Sequence, residues 1–302
     1  MRAAVHIDPP LAAIPAALAA AGVHCFQTTL RDPQRFGKTG VPEPADCGAY
    51  RQAAAGRGLW GMVHGSLLTN LASPEGRIRN SSVSSIVGDL KLAAELGLHG
   101  VCFHVGYAKG HPDRATALAQ ASRKLAAVLE QVPPGVAAVI ENACEGTELG
   151  VDLAEVGQLV RDAGVGPERL AVLIDTCHLH AAGTDVSGPD AGGRLADGLA
   201  KEQLLDRLVA FHLNDCQGAV GCRRDRHAAP GEGSIGEGLA SIGRHPAFRG
   251  IPAILEVDAD ETRRGLDWLR RAGALEGPRA AEACMPRAGR GIRRWGRPDA
   301  GR

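Results

Sequence analysis

The chain has 302 residues, of which 44% are apolar and 23% charged, as is typical of a globular protein. Lys plus Arg and Asp plus Glu both number 34, so the formal net charge is zero. This balance excludes a strongly basic nucleic-acid coat, although not a local basic patch. The longest apolar stretch, residues 11–23, contains Pro15 and is shorter than the about 18–20 residues of a membrane span. Eight cysteines without a CxxC pair favour reduced thiols, so we expect a cytoplasmic protein.

Eight short apolar runs alternate with helix-like segments along the chain. The runs cover residues 3–7, 24–30, 59–64, 100–105, 136–142, 170–176, 208–215 and 251–257. The clearest helical segments are 83–96, 114–131, 153–163 and 262–272, and Gly97 and Gly164 stand where helix C-caps are expected. Continuous apolar runs between helices indicate parallel strands buried on both faces. Eight such units predict a closed (β/α)₈ TIM barrel with its active site at the C-terminal face of the strands, and an open doubly wound sheet is the alternative.

The C-terminal end has a different composition from the rest. We assign residues 1–275 to the barrel and residues 276–302 to an Arg-rich tail; within residues 277–302, seven arginines outnumber Glu282 and Asp299. Such a segment, with interspersed Gly and Pro, predicts a disordered basic tail. A role in solubility is favoured over a DNA-binding arm.

Six consecutive runs carry an imidazole or a carboxylate at, or within three residues of, their C-terminal ends. These residues are His64, His104, Glu141, Asp175, His212 and Glu256. One such residue after a strand is more often a cap or a satisfied polar group than a ligand. Six in succession would converge at one end of a barrel, where they would repel and desolvate one another unless cations neutralised them. The pattern therefore predicts a metal centre.

Three further residues extend this set to nine. His178 follows Asp175 by three residues, about one helical turn, and Asp225 and His227 alternate in an extended loop so that both could bind one ion. Nine ligands exceed the three or four protein groups that one Zn²⁺ takes and suit two or three ions. Nitrogen and oxygen donors without thiolate favour Zn²⁺ or Mn²⁺ over Mg²⁺, and incomplete coordination favours catalytic sites.

The blocks around these residues resemble the endonuclease IV family of apurinic/apyrimidinic endonucleases. The matching blocks are HGSLLTNLASP (64–74), FHVGYAKG (103–110), IENACEGTELG (140–150), IDTCHLHAAGTD (174–185), HLND (212–215), DRHAAPGEGSIG (225–236) and GIPAILE (250–256). The resemblance implies a barrel with three zinc ions, with Glu141 bridging the first and second. The implied ligands are His64, His104 and Glu141 for the first ion, Asp175, His212 and Glu256 for the second, and His178, Asp225 and His227 for the third.

The resemblance also implies an activity and a partner. The implied reaction is hydrolysis of the phosphodiester 5′ to an abasic site in duplex DNA, leaving a 3′-OH and a 5′-deoxyribose phosphate, and family members also clear blocked 3′ termini. Glu141 is the implied catalytic residue, which orients the nucleophile. We expect a monomer that acts on DNA in base excision repair.

Six residues are candidates for contacts with DNA, each with a plainer alternative. They are Arg31, Arg35, Leu67, Leu68, Lys109 and Arg226. The leucine pair could act as an apolar wedge in the base stack or could simply pack in the core. Lys109 and Arg226 could contact phosphate or be solvated charges, and phosphate contacts carry no sequence information.

A sugar isomerase or epimerase of the xylose-isomerase-like barrels is the alternative function. Such enzymes use one or two divalent metals. The third set of candidate ligands, His178, Asp225 and His227, argues against this alternative.

Overall fold

A computed structural model describes residues 1–37 and 41–277, and eight parallel strands in it form a closed barrel. The barrel strands are β1 (Arg2–His6), β2 (Cys25–Thr28), β3 (Trp60–His64), β4 (Gly100–Phe103), β5 (Ala137–Glu141), β6 (Leu170–Asp175), β7 (Leu208–His212) and β10 (Pro252–Leu255). Their order around the barrel is β1-β10-β7-β6-β5-β4-β3-β2, and β1 pairs with β2 to close it. The short strands β8 (Asp215–Cys216) and β9 (His227–Ala228) form a separate antiparallel hairpin.

Helices follow the strands and cover the outside of the barrel. Those in the described part are α1 (Ile14–Ala21), α2 (Pro44–Ala54), α3 (Gly76–Leu96), α4 (Arg114–Leu129), α5 (Leu153–Ala163), α6 (Thr176–Ala182), α7 (Ala191–Lys201), α8 (Glu237–Arg244) and α9 (Ala259–Arg271). Three short 3₁₀ segments, Leu11–Ala13, Leu205–Arg207 and Pro246–Phe248, join them. Among the described residues, no helix combines the length and apolar character that crossing a membrane requires.

The predicted TIM barrel is confirmed, and each of the eight predicted runs overlaps a barrel strand. The predicted segment 153–163 coincides with α5, and Gly97 and Gly164 cap their helices in the left-handed conformation at φ +71° and +61°. Helix α3 begins at Gly76, seven residues before the predicted start. The prediction missed this part of the helix because its first two turns are polar and lack an apolar stripe. Helices α2, α7 and α8 were not among the helical segments named from the sequence.

Side-chain alternation along the strands positions the polar residues at one end of the barrel. Inward-facing residues fill the barrel with a small separate core, whose members are Ala4, Cys25, Trp60, Met62, Cys102, Ala137, Val139, Ala171, Leu173, Ala210 and Ile254. Because successive strand residues point to opposite faces, the next inward position lies two residues further on. In all eight strands that position is polar: His6, Gln27, His64, His104, Glu141, Asp175, His212 and Glu256. The barrel therefore ends in a layer of eight polar side chains, two more than the run ends predicted.

The hairpin after β7 is held by a buried carboxylate. The backbone amides of Cys216, Ile235 and Gly231 donate to the Asp215 carboxylate at 2.9, 2.8 and 3.0 Å. The Gly236 amide donates to the same group at 3.2 Å. Because Asp215 is fully buried, these hydrogen bonds are shielded from bulk water. Asp215 thus ties the segment after β9 to the hairpin that carries His227.

A buried ion pair fixes the loop after β2. Arg31 Nε donates to Asp89 Oδ1 at 2.6 Å, and the two side chains are 11% and 1% exposed. Arg31 Nη1 also donates to the carbonyl of Gly37. Burial raises the pKa of Asp89 to about 6, although Arg31 opposes this rise. The guanidinium of Arg31 is therefore engaged with α3, which does not support the predicted contact between Arg31 and DNA.

The predicted tail lies almost wholly outside the described residues. Of its residues only 276 and 277 are described, and the amide of Glu276 donates to the carbonyl of Met1 at 2.7 Å. The amide of Gly250 in turn donates to Glu276 Oε1 at 2.7 Å. Glu276 thus contacts the barrel next to the boundary predicted at residue 275.

We expect Asp215→Ala to lower the free energy of unfolding by about 3 kcal/mol or more, because it leaves several buried backbone amides without their hydrogen-bond acceptor. Urea denaturation of the purified protein measures this change. Asp113→Ala is a matched control: its carboxylate accepts one amide, that of Thr116, at the start of α4. An exposed helix cap of this kind contributes about 1 kcal/mol. Equal losses in the two variants would contradict the scaffold role of Asp215.

Replacing Arg31 with Met should destabilise the fold by about 3–5 kcal/mol near pH 8, because it leaves the Asp89 carboxylate buried without its cation. A buried acid with a raised pKa makes stability fall as pH rises, so the loss should shrink at pH 5, where Asp89 is protonated. Arg35→Met is the control, since that side chain is 70% exposed. Equal stability of the two variants at pH 8 would refute this interpretation.

Candidate metal centre

All nine candidate ligands lie together at the C-terminal mouth of the barrel. Their ligand atoms fall into overlapping groups in which every atom lies within 4.8 Å of the others. The groups that consist of the predicted residues are His104–Glu141–His178, Glu141–Asp175–His212–Glu256 and His178–Asp225–His227. His64 joins a further group with Glu141 and Cys102. The structure thus brings together residues that are far apart in the sequence, from His64 to Glu256.

Glu141 lies at the centre and offers its two oxygens to different neighbours. Oε2 lies 3.3 Å from His64 Nε2 and 3.6 Å from His104 Nε2. Oε1 lies 2.8 Å from His212 Nδ1 and 3.5 Å from His178 Nδ1. The side chain is 1% exposed. This division is the one that a carboxylate bridging two cations requires.

The second group consists of the last inward residues of β6 and β7 and the residue that follows β10. His212 Nδ1 lies 3.0 Å from Glu256 Oε2 and 3.8 Å from Asp175 Oδ2. Parallel pairing of β6 with β7 sets Asp175 directly beside His212. Strand register thus supplies this proximity without any help from the loops.

The third group depends on a helix start and on the hairpin. Asp175 caps α6 by accepting the amide of His178 at 2.8 Å, which sets His178 in the first turn. His178 Nε2 lies 3.3 Å from Asp225 Oδ2, and His227 Nε2 lies 3.0 Å from Asp225 Oδ1. Asp225 is 45% exposed, so this group faces the outside. The predicted convergence of Asp225 and His227 is therefore present.

The outer ring nitrogens test whether the histidines fit a metal. Nδ1 of His64 donates to the carbonyl of Gly65 at 2.9 Å, and Nδ1 of His227 donates to the carbonyl of Glu256 at 3.2 Å. His212 Nε2 lies 2.9 Å from Gln27 Oε1. Histidines that bind metals show this pattern, with one nitrogen held by an acceptor and the other left for the ion. His104 departs from it, since its Nδ1 is buried and has no hydrogen-bond partner among the described residues.

The charges in the cavity call for cations. Burial disfavours the charged form of His212, but Glu141 and Glu256 outweigh burial and raise the pKa of His212 well above its ordinary value. Burial also opposes charge on His227, yet Asp175 and Asp225 raise its pKa to about 9. The carboxylates thus retain protons on buried rings. Divalent cations would satisfy the same carboxylates, so the donor set fits metal binding.

A supporting layer of amides was not predicted. Asn214 Nδ2 donates to Asp175 Oδ2 at 2.8 Å, and the amide of Asp175 donates to Asn142 Oδ1 at 2.7 Å. Gln27 Nε2 donates to Glu256 Oε1 at 2.7 Å. The available signal was that each amide is a polar residue in or directly after an apolar run. Cys102, whose Sγ lies 4.0 Å from Glu141 Oε2, was also missed because cysteines are common in buried strands.

The rim carries most of the predicted DNA contacts. Leu67 and Leu68 are 49% and 42% exposed, so they do not pack in the core. The amide of Leu67 donates to the carbonyl of Pro33, which joins the leucine loop to the loop of Arg35. Lys109 and Arg226 are exposed in loops that also carry candidate ligands. Tyr107, 37% exposed and three residues after His104, adds a rim aromatic that was not predicted.

Comparison with known proteins identifies relatives over most of the chain. The family described as xylose isomerase-like TIM barrel matches residues 15–272. A probable endonuclease 4 of Methanoculleus marisnigri is 34% identical over 268 residues, which cover 85% of this chain and 92% of that protein. The crystal structure of endonuclease IV from Thermus thermophilus matches with a TM-score of 0.77 and 30% identity, covering 90% of this chain and 98% of that one.

A sugar-epimerase structure has the same architecture with less sequence similarity. The crystal structure of a D-tagatose 3-epimerase-like protein has a TM-score of 0.69 at 18% identity. A likeness at this level concerns the fold alone. The two endonuclease IV matches given above are stronger, at 34% and 30% identity over 85% and 90% of this chain. By sequence and by fold, the chain belongs to the endonuclease IV family.

Proposed function

We propose that the protein is a metal-dependent DNA repair endonuclease that hydrolyses the phosphodiester 5′ to an abasic site in duplex DNA. The products would be a 3′-OH and a 5′-deoxyribose phosphate, and blocked 3′ termini are a further proposed substrate. The observation that carries the proposal is the division of the Glu141 oxygens between two groups of buried ligands. The family relationship supports the same activity, since its named members are endonucleases.

The nine residues would hold three Zn²⁺ ions, with Mn²⁺ able to replace some of them. The proposed ligands are His64, His104 and Glu141 for the first ion, Asp175, His212 and Glu256 for the second, and His178, Asp225 and His227 for the third. Bound zinc would supply Lewis acidity, which activates water near neutral pH and stabilises charge on the phosphate and on the leaving oxygen. All nine donors come from one chain, which supports a monomeric enzyme.

The chain's own groups would position the substrate. Glu141 lies on the cavity floor, where burial excludes bulk water from its carboxylate. Asp225 is exposed, so the third group is the first that an approaching phosphate would meet. Because Glu141 faces both the first and second groups, it is also placed to orient the attacking water between them. We therefore assign the catalytic role to Glu141.

The rim would receive the duplex. Leu67 and Leu68 are apolar and exposed, and such side chains can enter between base steps. Arg35, Lys109 and Arg226 are exposed and would contact the backbone phosphates, which positions DNA without reading its sequence. A site lacking a base is easier to unstack than an intact one, which favours recognition of the lesion. Arg31 is not included, because Asp89 already pairs with its guanidinium.

We expect the parent protein, loaded with zinc, to cut a duplex containing one synthetic abasic residue immediately 5′ to the lesion. Glu141→Gln keeps the shape of the side chain but removes its charge, so cutting should fall by more than about 100-fold, the upper end of the range seen when groups that merely support metal ligands are lost. Gel analysis of an end-labelled strand measures both rates. Glu130→Gln, an exposed change at the end of α4, should cut like the parent. No cutting by the parent, together with turnover of an aldose, would replace this proposal with the sugar isomerase alternative.

Metal content gives a second test. Elemental analysis should find about three zinc ions per parent chain, because nine donors at three per ion leave open positions for water and substrate. The double variant Asp225→Asn, His227→Asn should retain about two ions, since the first two groups do not use those side chains. One ion in the parent, or an unchanged count in the variant, would contradict the assignment of three sites.

A further inference from the structure

Gln27 is the only member of the polar layer that lies fully buried without being a candidate ligand, among the eight inward strand ends that the structure describes. It belongs to β2, and pairing of β1 with β2 places it beside His6. We propose that Gln27 is a positioning residue that orients His212 and Glu256 toward the second metal ion. This inference rests on the second ligand group of the proposed function.

The amide of Gln27 contacts both ligands at once. Its Nε2 donates to Glu256 Oε1 at 2.7 Å, and its Oε1 lies 2.9 Å from His212 Nε2. Nε2 also donates to His6 Nδ1 at 2.9 Å. The Cys102 thiol donates to Gln27 Oε1 at 3.5 Å. Both hydrogens of the amide and its carbonyl oxygen are thus engaged.

The neighbouring carboxylate decides which way the amide points. An ionised carboxylate can only accept hydrogen bonds, so the NH₂ group of Gln27 must face Glu256. The carbonyl oxygen of Gln27 must then face His212. A carbonyl oxygen also only accepts, so His212 carries a hydrogen on Nε2 and donates it to Gln27.

The consequence for His212 is a defined ring orientation. With Nε2 held by Gln27, the nitrogen that remains for an ion is Nδ1, which lies 2.8 Å from Glu141 Oε1 and 3.0 Å from Glu256 Oε2. Glu256 is oriented by the same amide, because Gln27 binds its Oε1 and leaves Oε2 facing His212. The neutral side chain of Gln27 therefore orients two ligand atoms of the second group, His212 Nδ1 and Glu256 Oε2.

The amide itself is anchored from the surface side. His6 Nδ1 accepts from Gln27, so His6 Nε2 carries the hydrogen and donates to Asp8 Oδ2 at 3.0 Å. Asp8 Oδ1 in turn accepts the backbone amide of Thr29 at 2.7 Å. This chain of contacts fixes Gln27 to the loop after β2. His6, Asp8 and Thr29 are not among the nine candidate ligands, so their role here is to orient Gln27.

The test uses full-length protein and zinc alone, without DNA. Gln27→Met keeps the length of the side chain but removes both hydrogen-bonding groups. We expect it to weaken binding of one of the zinc ions by about 10–100-fold, as loss of groups that support metal ligands does. Titration against a chromophoric chelator measures the affinity. Gln131→Met is the matched control: it makes the same change at an exposed glutamine just after α4, whose side chain donates to the carbonyl of Ala127, and its zinc affinities should match the parent's.

The hydrogen bond at His212 Nε2 provides a readout that a general loss of packing would not reproduce. In ¹⁵N-histidine-labelled, zinc-loaded protein, long-range ¹H–¹⁵N spectra should show a slowly exchanging hydrogen on Nε2 of His212 in the parent, because Gln27 Oε1 accepts it. Without an acceptor, that hydrogen should exchange faster and its signal should be lost. Gln27→Glu retains an acceptor for His212, and a proton shared between its other oxygen and Glu256 replaces the lost donor, so this variant should keep the signal. Gln27→Met has neither group and should lose the signal. Gln27→Glu also keeps the proposal testable if the Met variant does not fold.

Two outcomes would overturn the inference. One is parent-like zinc affinity with an unchanged His212 signal in Gln27→Met, and the other is loss of that signal in Gln27→Glu. Neither measurement depends on DNA cleavage. A parent protein that binds zinc in this way but does not cut abasic DNA would refute the proposed function while leaving the role of Gln27 intact.

Discussion

Closure of the barrel is the constraint on which the site depends. In a closed parallel barrel, the inward side chains of all strands lie in layers, and the last layer meets at the C-terminal mouth. Here that layer is polar in all eight strands, while the layers beneath it are filled by apolar side chains such as Trp60 and Leu173. The apolar layers exclude water from below. Water therefore does not solvate the charged groups from the floor of the cavity, and these groups interact directly with one another.

Such a layer is costly unless its charges are balanced, and the structure shows two means of balance. Carboxylates raise the pKa of His212 and of His227, so that positive charge accompanies the negative charge. Hydrogen bonds to a backbone carbonyl and a side-chain amide then occupy the outer nitrogens of these rings. The result is a cavity in which nitrogen and oxygen atoms that could bind metal lie close together and face one another. Cations in place of the protons would balance the carboxylates of this cavity.

The outer elements adapt this barrel to a large substrate. The hairpin of β8 and β9 lies outside the barrel sheet and brings Asp225 and His227 over the mouth, with Asp215 binding the chain that follows. The exposed Leu67 and Leu68 stand on a neighbouring loop. Barrels of the same architecture occur in proteins with other names, such as the D-tagatose 3-epimerase-like protein.

Much of this organisation was predictable from the order of residues alone. Apolar runs separated by helical segments predicted eight strands, because strands buried on both faces are continuously apolar. Six run ends of ligand type predicted the cluster, because strand ends of a barrel share one face. The ends of β1 and β2 were missed, since the apolar runs there were drawn past His6 and Gln27, and a lone Gln carries no metal signal. Arg31 was expected at the surface, because nothing in the local sequence reveals that Asp89, 58 residues later, is buried beside it.

The sequence by itself determined the fold class, the nine candidate ligands and the family, since these depend on residue types and on spacing along single elements. The tertiary structure alone decided which oxygen of Glu141 faces which group, which nitrogen of His212 remains for an ion, and which arginine is held inside. Those properties arise from contacts between residues far apart in the chain, such as Gln27 and His212, 185 positions apart. Spacing along one strand cannot specify such contacts, because they exist only once the barrel has closed.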